Sequence, residues 1–342
     1  MFPAAPVVRL ELMDRFYNQL RILPLLAALL VGFTPGGNSQ TRNPATTATT
    51  PSAGAVSGGG DVLFRAQVDR VVLNAAVFDG QQRLVTGLPQ QAFRVYQDGK
   101  LQKLSGFSNQ DIPVSMGIAV DSSASMTEMR AAVNAAALAL VRASHTADEV
   151  FVVDFKDTVS LTQDFTNDIA KLEDGLSEMR MWGGTAVMDA IHMAVDHLRK
   201  GAREKRVLLV ITDGEDDSSD IEQDALLALL QKSDVTVYAI GLLSDQPSDK
   251  RRNAQKLLQA VAKVSGGAAY FPGSAEEVEA LANQIAHDIR NQYILEFPVP
   301  AATKPGYHPL RVTAESRTRG KLTVRTRPGY VYQPSDVPPA RR

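Results

Sequence analysis

Residues 115–126 read SMGIAVDSSASM: the apolar run Met116-Gly-Ile-Ala-Val120 ends on Asp121, passes through Ser122-Ser123-Ala124-Ser125 and enters a helical pattern near Met126. An apolar run without polar alternation suits a strand covered on both faces. Working outward, similar runs recur at Val150–Phe155, Val207–Thr212 and Val235–Ile240, with a weaker one at Ala268–Phe271. Between them, apolar positions at helical spacing indicate helices at about 126–143, 185–200, 221–232, 251–265 and 275–292. Strand and helix in alternation give an α/β fold, a doubly wound and mostly parallel Rossmann-like sheet covered by helices on both faces.

On either side of this region the texture is different. Upstream, Val68, Val71, Leu73, Ala75 and Val77 nearly alternate, and Asp79-Gly80 and Asp98-Gly99 mark turns. Downstream, Tyr293–Phe297, His308–Ala314 and Leu322–Thr326 again look like strands. Each flank is short, so the two are expected to pack together as one small antiparallel β unit, since two or three strands alone bury too little to be stable. The resulting organisation is a leader over 1–36, a linker over 37–61, the β unit's first half over 62–109, the α/β domain over 110–292, the β unit's second half over 293–332, and a loose tail over 333–342.

The leader reads as a secretory signal or N-terminal anchor, because Arg15 and Arg21 precede the apolar run Ile22–Phe33. A buried helix is the competing reading, favoured by Pro24, Glu11 and Asp14, and Met13 is an alternative start. Export would place the protein in the periplasm, in the cell envelope or outside the cell, touching a membrane only through an uncleaved leader. The linker is almost wholly Thr, Ser, Ala, Gly, Pro and Asn, too poor in apolar groups to order itself. With 36 basic against 38 acidic residues, net −2, no global field draws in nucleic acid. The absence of cysteine excludes disulfides, thiolate metal sites and a cysteine nucleophile.

Chemistry gathers at the strand ends. Asp121 closes a buried strand, at a tip expected to stand outside the core, where open α/β sheets build their sites. Ser123 and Ser125 are two apart, so an extended turn points both hydroxyls one way. Asp213-Gly214 repeats the pattern after Val207–Thr212, and Thr185, in Trp182-Gly-Gly-Thr185, stands at a helix start with its hydroxyl exposed. Two carboxylates, two serines and a threonine, with no His or Cys, match a hard cation such as Mg²⁺, Mn²⁺ or Ca²⁺, Mg²⁺ foremost. Helix capping accounts for Ser125 by itself but not for Asp213 and Thr185.

These three segments, DSSAS at 121–125, GGT at 183–185 and TDG at 212–214, resemble the metal-ion-dependent adhesion site of von Willebrand factor type A domains, over roughly residues 110–290. The flanks GLPQQAFRVYQDGKLQKLSGFS, IRNQYILEF and TVRTRPGYVY are similar to one bacterial, exported group of such proteins. The resemblance implies that Ser123, Ser125 and Thr185 offer hydroxyls to a metal, that Asp121 and Asp213 bind it directly or through water, and that a position stays open for a partner's Asp or Glu carboxylate. The function expected is a non-catalytic protein-binding module. The alternatives are an envelope structural module whose metal stabilises loops, and a metal-dependent hydrolase.

The hydrolase lacks a general base beside the motif and a Gly-x-Ser-x-Gly elbow. A nucleotide site lacks Gly-x-Gly-x-x-Gly and Gly-x-x-x-x-Gly-Lys. Several residues carry two readings. Glu215–Asp220 is an additional Ca²⁺ loop or a solvated loop with helix-start charges, and Asp189 either orients the site or caps a helix. Trp182 is either a recognition residue or a core anchor. The five histidines show no metal spacing and read as surface or helix-face residues, and Arg203–Arg206 reads as a solvated turn.

Overall fold

The structure, a computed structural model, describes residues 69–334 other than Ser144, Asp245 and Ala275. The leader, the linker, the first residues of the β unit and the end of the tail lie outside the described residues. Along the chain come β1 (Arg70–Phe78), β2 (Phe93–Gln97), β3 (Lys100–Gln102), β4 (Gly106–Ser108) and β5 (Val114–Asp121), then α1 (Arg130–Arg142), β6 (Glu149–Phe155), β7 (Val159–Thr166) and α2 (Ile169–Ser177). There follow α3 (Val187–Leu198), β8 (Lys205–Thr212), α4 (Gln223–Lys232), β9 (Thr236–Gly241), α5 (Ser248–Ser265), β10 (Ala269–Tyr270) and α6 (Glu276–Arg290). The chain closes with β11 (Tyr293–Pro298), β12 (Gly306–Ala314), β13 (Thr323–Arg325) and β14 (Gly329–Tyr332).

The central sheet has the order β10-β9-β8-β5-β6-β7, parallel except for β7. Period-two alternation divides its side chains between two cores. Met116, Ile118 and Val120 of β5 and Val207, Leu209 and Ile211 of β8 pack with α1, α2 and α6. Ala119 of β5 and Leu208 and Val210 of β8 pack with α3, α4 and α5 on the other face. This is the doubly wound α/β layer expected. Because β6 and β8 lie on opposite sides of β5, the strand order reverses there, and a crevice opens beyond the carboxyl ends of β5 and β8.

The flanking strands form two antiparallel sheets, β13-β1-β11-β4 and β14-β12-β2-β3. Strands upstream of the α/β layer pair with strands downstream of it, β1 with β11 and β2 with β12. Leu73, Ala75 and Val77 from one sheet and Phe93, Val95 and Leu310 from the other share one apolar core with Tyr293. Tyr293 also ties the seam by accepting the Leu88 N–H (3.0 Å) and donating to the Val85 carbonyl (2.9 Å).

Several local readings are corrected. The helix expected from Met126 starts at Arg130, because Ala124–Thr127 first makes a 3₁₀ turn, with Met126 N–H donating to the Ser123 carbonyl. Arg203–Arg206 is no solvated turn: β8 begins at Lys205, whose buried ammonium donates to the Ile289 carbonyl. His197 is a core histidine, 4.6 Å from the Phe151 ring, stacked on Phe165 and bonded to Asp164. Among the described residues no helix is long and apolar enough to cross a membrane.

Candidate metal centre

Asp121 is the last residue of β5, and Asp213 follows the last residue of the adjacent parallel strand β8. Asp121 is fully buried, not clear of the core, because the loops after β5, β6 and β8 close over it. Its Oδ1 accepts the Ser123 N–H (2.8 Å) and its Oδ2 accepts the Thr212 hydroxyl (2.5 Å). Thr212 in turn accepts the Gly214 N–H (3.2 Å), fixing the turn after β8. Burial is the largest influence on Asp121 and pushes its carboxyl up to about 6; the bonds from Thr212 and Ser123 work against that, and the charge of Asp213 adds to it.

The other three side chains converge on the same place. The hydroxyls of Ser123 and Ser125 are 3.1 Å apart, and Ser125 donates to Asp213 Oδ1 at 3.0 Å. Ser125 therefore works toward Asp213, not as a helix cap, since α1 begins five residues later without a side-chain cap. Thr185 Oγ1 lies 3.2 Å from where a Cβ on Gly214 would stand. Thr185 is 5% exposed, so its hydroxyl is buried beside Gly214 and not open to solvent, contrary to expectation. All five sequence-selected residues thus meet at the switch point, with Ser125 on the solvent side.

Backbone bonds lock the loops together. Ser122 N–H donates to the Phe155 carbonyl (2.7 Å), Trp182 N–H to the Ser122 carbonyl (3.0 Å), and Ala186 N–H to the Lys156 carbonyl (2.6 Å). Gly183 has φ +81°, a left-handed conformation that glycine adopts freely. A Cβ on Gly184 would stand 2.5 Å from the Ser218 hydroxyl and 2.7 Å from Asp217 Oδ1, so the loop can approach the 213–221 segment only without a side chain there.

Of the two readings of the acidic segment, the helix-start one fits, but the helix start it serves is that of α3, which precedes it in the chain. Asp217 Oδ1 accepts the Thr185 N–H (2.8 Å) and the Ser218 hydroxyl (2.6 Å). Asp216 Oδ2 accepts the Met188 N–H (2.8 Å), and Ser219 Oγ accepts the Asp189 N–H (3.1 Å). Asp189 returns the contact by accepting the Asp220 and Ile221 N–H groups at 2.9 and 3.0 Å. Backbone donors at the start of α3 are therefore met by two carboxylates and a serine hydroxyl from another loop, which fixes Thr185. Burial raises the Asp217 pKa, but the bonds from Ser218 and Thr185 and the Lys250 charge outweigh it and leave the carboxyl below its usual value. The only signal in sequence was the density of Asp and Ser; which helix they cap depends on tertiary structure.

The donor set is chemically suited to a hard cation. Among the described residues no three His, Asp or Glu side chains converge, and no ion pair to Asp121 occurs among them. An ion here would be held by two carboxylates and neutral hydroxyls, all oxygen. Trp182, beside the cluster, is 50% exposed, with the Lys156 ammonium 5.2 Å from its ring centroid.

Residues 116–215 match the family model described as von Willebrand factor type A domain, a stretch that begins in β5 and takes in all five residues of the cluster. The α/β layer is thus a domain of the von Willebrand factor type A kind. An uncharacterized protein of Borreliella burgdorferi is 30% identical over 102 residues, 29% of this chain and 30% of that relative, so the chain spans under a third of the curated relative it matches. Among solved structures, the von Willebrand factor type A protein from Catenulispora acidiphila is 12% identical, covering 80% of this chain and 76% of its own, with a TM-score of 0.48. An aerotolerance-related membrane protein from Bacteroides fragilis is 22% identical over 51% of this chain and 98% of its own (TM-score 0.42). The domain of the type V pili tip protein Mfa5 from Porphyromonas gingivalis is 13% identical over 52% and 95% (TM-score 0.44).

Proposed function

We propose that this chain is a non-catalytic protein-binding module of an exported protein, and that Asp121, Ser123, Ser125, Thr185 and Asp213 form a metal-ion-dependent adhesion site for Mg²⁺, with Mn²⁺ or Ca²⁺ as substitutes. The observation that carries this reading is the convergence of five oxygen side chains at the switch point, where the buried Asp121 carboxylate is met by a hydroxyl and a backbone N–H. A bound divalent ion would supply a Lewis-acidic centre able to take one further oxygen ligand from outside. Asp121 and Asp213 would offset its charge, and Ser123, Ser125 and Thr185 would add dipoles without charge. The protein partner would offer an Asp or Glu side chain, and the loops around the site would select among such partners.

Calorimetry with MgCl₂ tests the site: the full chain should bind one ion, Asp121→Ala none, and Asp213→Ala fewer or more weakly. Retention of partners from an envelope extract tests the use. It should vanish in EDTA and with Asp121→Ala. Retention unchanged in both would leave the ion a loop-stabilising role in an envelope structural module.

A further inference from the structure

Trp182 is the only tryptophan of the chain, and a large apolar ring half open to water beside a polar cluster calls for an explanation. The described residues expose few large apolar side chains, and the others, Val72, Leu101, Ile169 and Tyr307, belong to other elements. Trp182 alone has its backbone bonded to the DSSAS loop, through its N–H to the Ser122 carbonyl, while the neighbouring Gly183 carbonyl accepts the Ala124 N–H at 3.4 Å. The indole thus stands on a segment held to that loop by two backbone bonds, and little backbone freedom remains to be lost when something packs against it.

One side of the indole is already taken. Lys156 is buried and ion-paired to Asp154 at 2.9 Å, and its ammonium faces the Trp182 ring. A cation there draws on the negative quadrupole of the ring face. The remaining, solvent-facing surface is less suited to a second cation and well suited to a planar apolar group, which gains ring stacking and area burial together.

We infer that Trp182, backed by Lys156, is the specificity surface of the adhesion site, and that the partner segment it fits carries an aromatic residue next to the acidic residue that reaches the site. The inference rests on the metal-and-carboxylate reading above and adds to it the chemistry of the flanking residue. Trp182 is none of the five proposed metal ligands, so its replacement separates the two readings.

The test uses the full chain in saturating MgCl₂ and three acetylated, amidated tripeptides, Gly-Asp-Gly, Gly-Asp-Phe and Gly-Asp-Lys, followed by calorimetry and by the emission of the single tryptophan. The Phe peptide should bind about tenfold more tightly than the Gly peptide, the size of an aromatic pair plus its buried area, and should shift the emission. In Trp182→Ala the Phe and Gly peptides should bind equally, with the Gly peptide as in the wild type; Trp182→Phe should keep most of the preference, which guards against a misfolded alanine variant. A Phe preference that survives Trp182→Ala, a Lys peptide that binds tightest, or Phe and Gly peptides bound alike by the wild type would each overturn the inference while leaving the metal reading in place. If none of the peptides binds in a Mg²⁺-dependent way, the carboxylate reading fails and this inference fails with it.

Discussion

The two ends of the parallel sheet each bury an aspartate, and they treat it in opposite ways. At the amino ends of the strands, Asp148 is 3% exposed and receives the Arg290 guanidinium, the Val114 N–H (2.8 Å) and the His145 N–H (2.9 Å). Arg290 also reaches Asp111 at 3.0 Å. At the carboxyl ends, Asp121 is fully buried and receives one N–H and one hydroxyl, with the second aspartate of the cluster raising its pKa. The first carboxylate is neutralised by the fold; the second has neutral partners, the arrangement expected where the balancing charge comes from solution. Burial alone therefore does not set the two acids apart, whereas the identity of their donors does.

The comparison breaks first at Asp148. Asp148→Ala leaves the Arg290 guanidinium with only the half-exposed Asp111 as its acid partner and takes the acceptor from the Val114 and His145 N–H groups, so it should cost about 3 kcal/mol of stability, measured by urea unfolding in EDTA. Mg²⁺ binding by the folded variant should be unaltered. A loss below about 1 kcal/mol, the range of an exposed pair, would show that this acid is no more structural than a surface one.

Next comes the ion itself. At a Mg²⁺ concentration of about a hundred times Kd, the wild type should gain about 2.7 kcal/mol over its value in EDTA, and Asp121→Ala should gain nothing. Equal gains in both proteins would place the ion elsewhere.

A smaller effect should follow from the acidic loop. Asp217→Ala removes the acceptor for the Thr185 N–H, and the looser Thr185 hydroxyl should weaken Mg²⁺ binding about tenfold. Asp217→Asn, which keeps an acceptor oxygen, should recover much of that loss. Unfolding in EDTA should move little for either, since Asp217 is exposed; a shift as large as that of Asp148→Ala would make the loop a fold element and not a positioning one.

Much of this was legible in sequence. Strands β5, β6, β8 and β9 are written as continuous apolar runs because both faces are covered, and Asp121, Ser123, Ser125, Thr185 and Asp213 stand out as oxygen donors at strand and helix ends. Strand β7 and helix α2 were not legible. The first is a half-exposed edge strand, SLTQDF within VSLTQDFT, with too few apolar residues to show a period, and the second has only nine residues. Its one local sign is Asp168, whose carboxylate caps the Ala170 N–H at 3.0 Å. Nor could sequence show that Lys205 and His197 turn inward, because each is accommodated by distant partners, the Ile289 carbonyl and the Phe151 and Phe165 rings. The same holds for TVRTRPGYVY, where Arg325 reaches the buried Asp288 at 2.7 Å and Arg327 reaches the Leu230 and Gln231 carbonyls at the end of α4.

The smallest effect lies in the flanking sheets, where the same pairing of acid and base occurs near water. Asp98, in the turn between β2 and β3, is bonded to His308 Nδ1 at 2.7 Å, and His308 Nε2 meets the Lys304 carbonyl at 2.7 Å. Burial works to lower the His308 pKa, but the Lys304 bond and the Asp98 bond and charge outweigh it, so the net shift is upward. A base with a raised folded pKa stabilises fully below its unfolded value, about 6.5, and the contribution disappears as pH rises through the folded value. His308→Gln should therefore cost about 0.5 kcal/mol near pH 5.5 and nothing near pH 9, in keeping with an exposed pair. Unfolding midpoints of wild type and variant across that range decide it. Curves that stay parallel would mean that His308 contributes by packing against Tyr330, 5.6 Å away between ring centres, and not by charge.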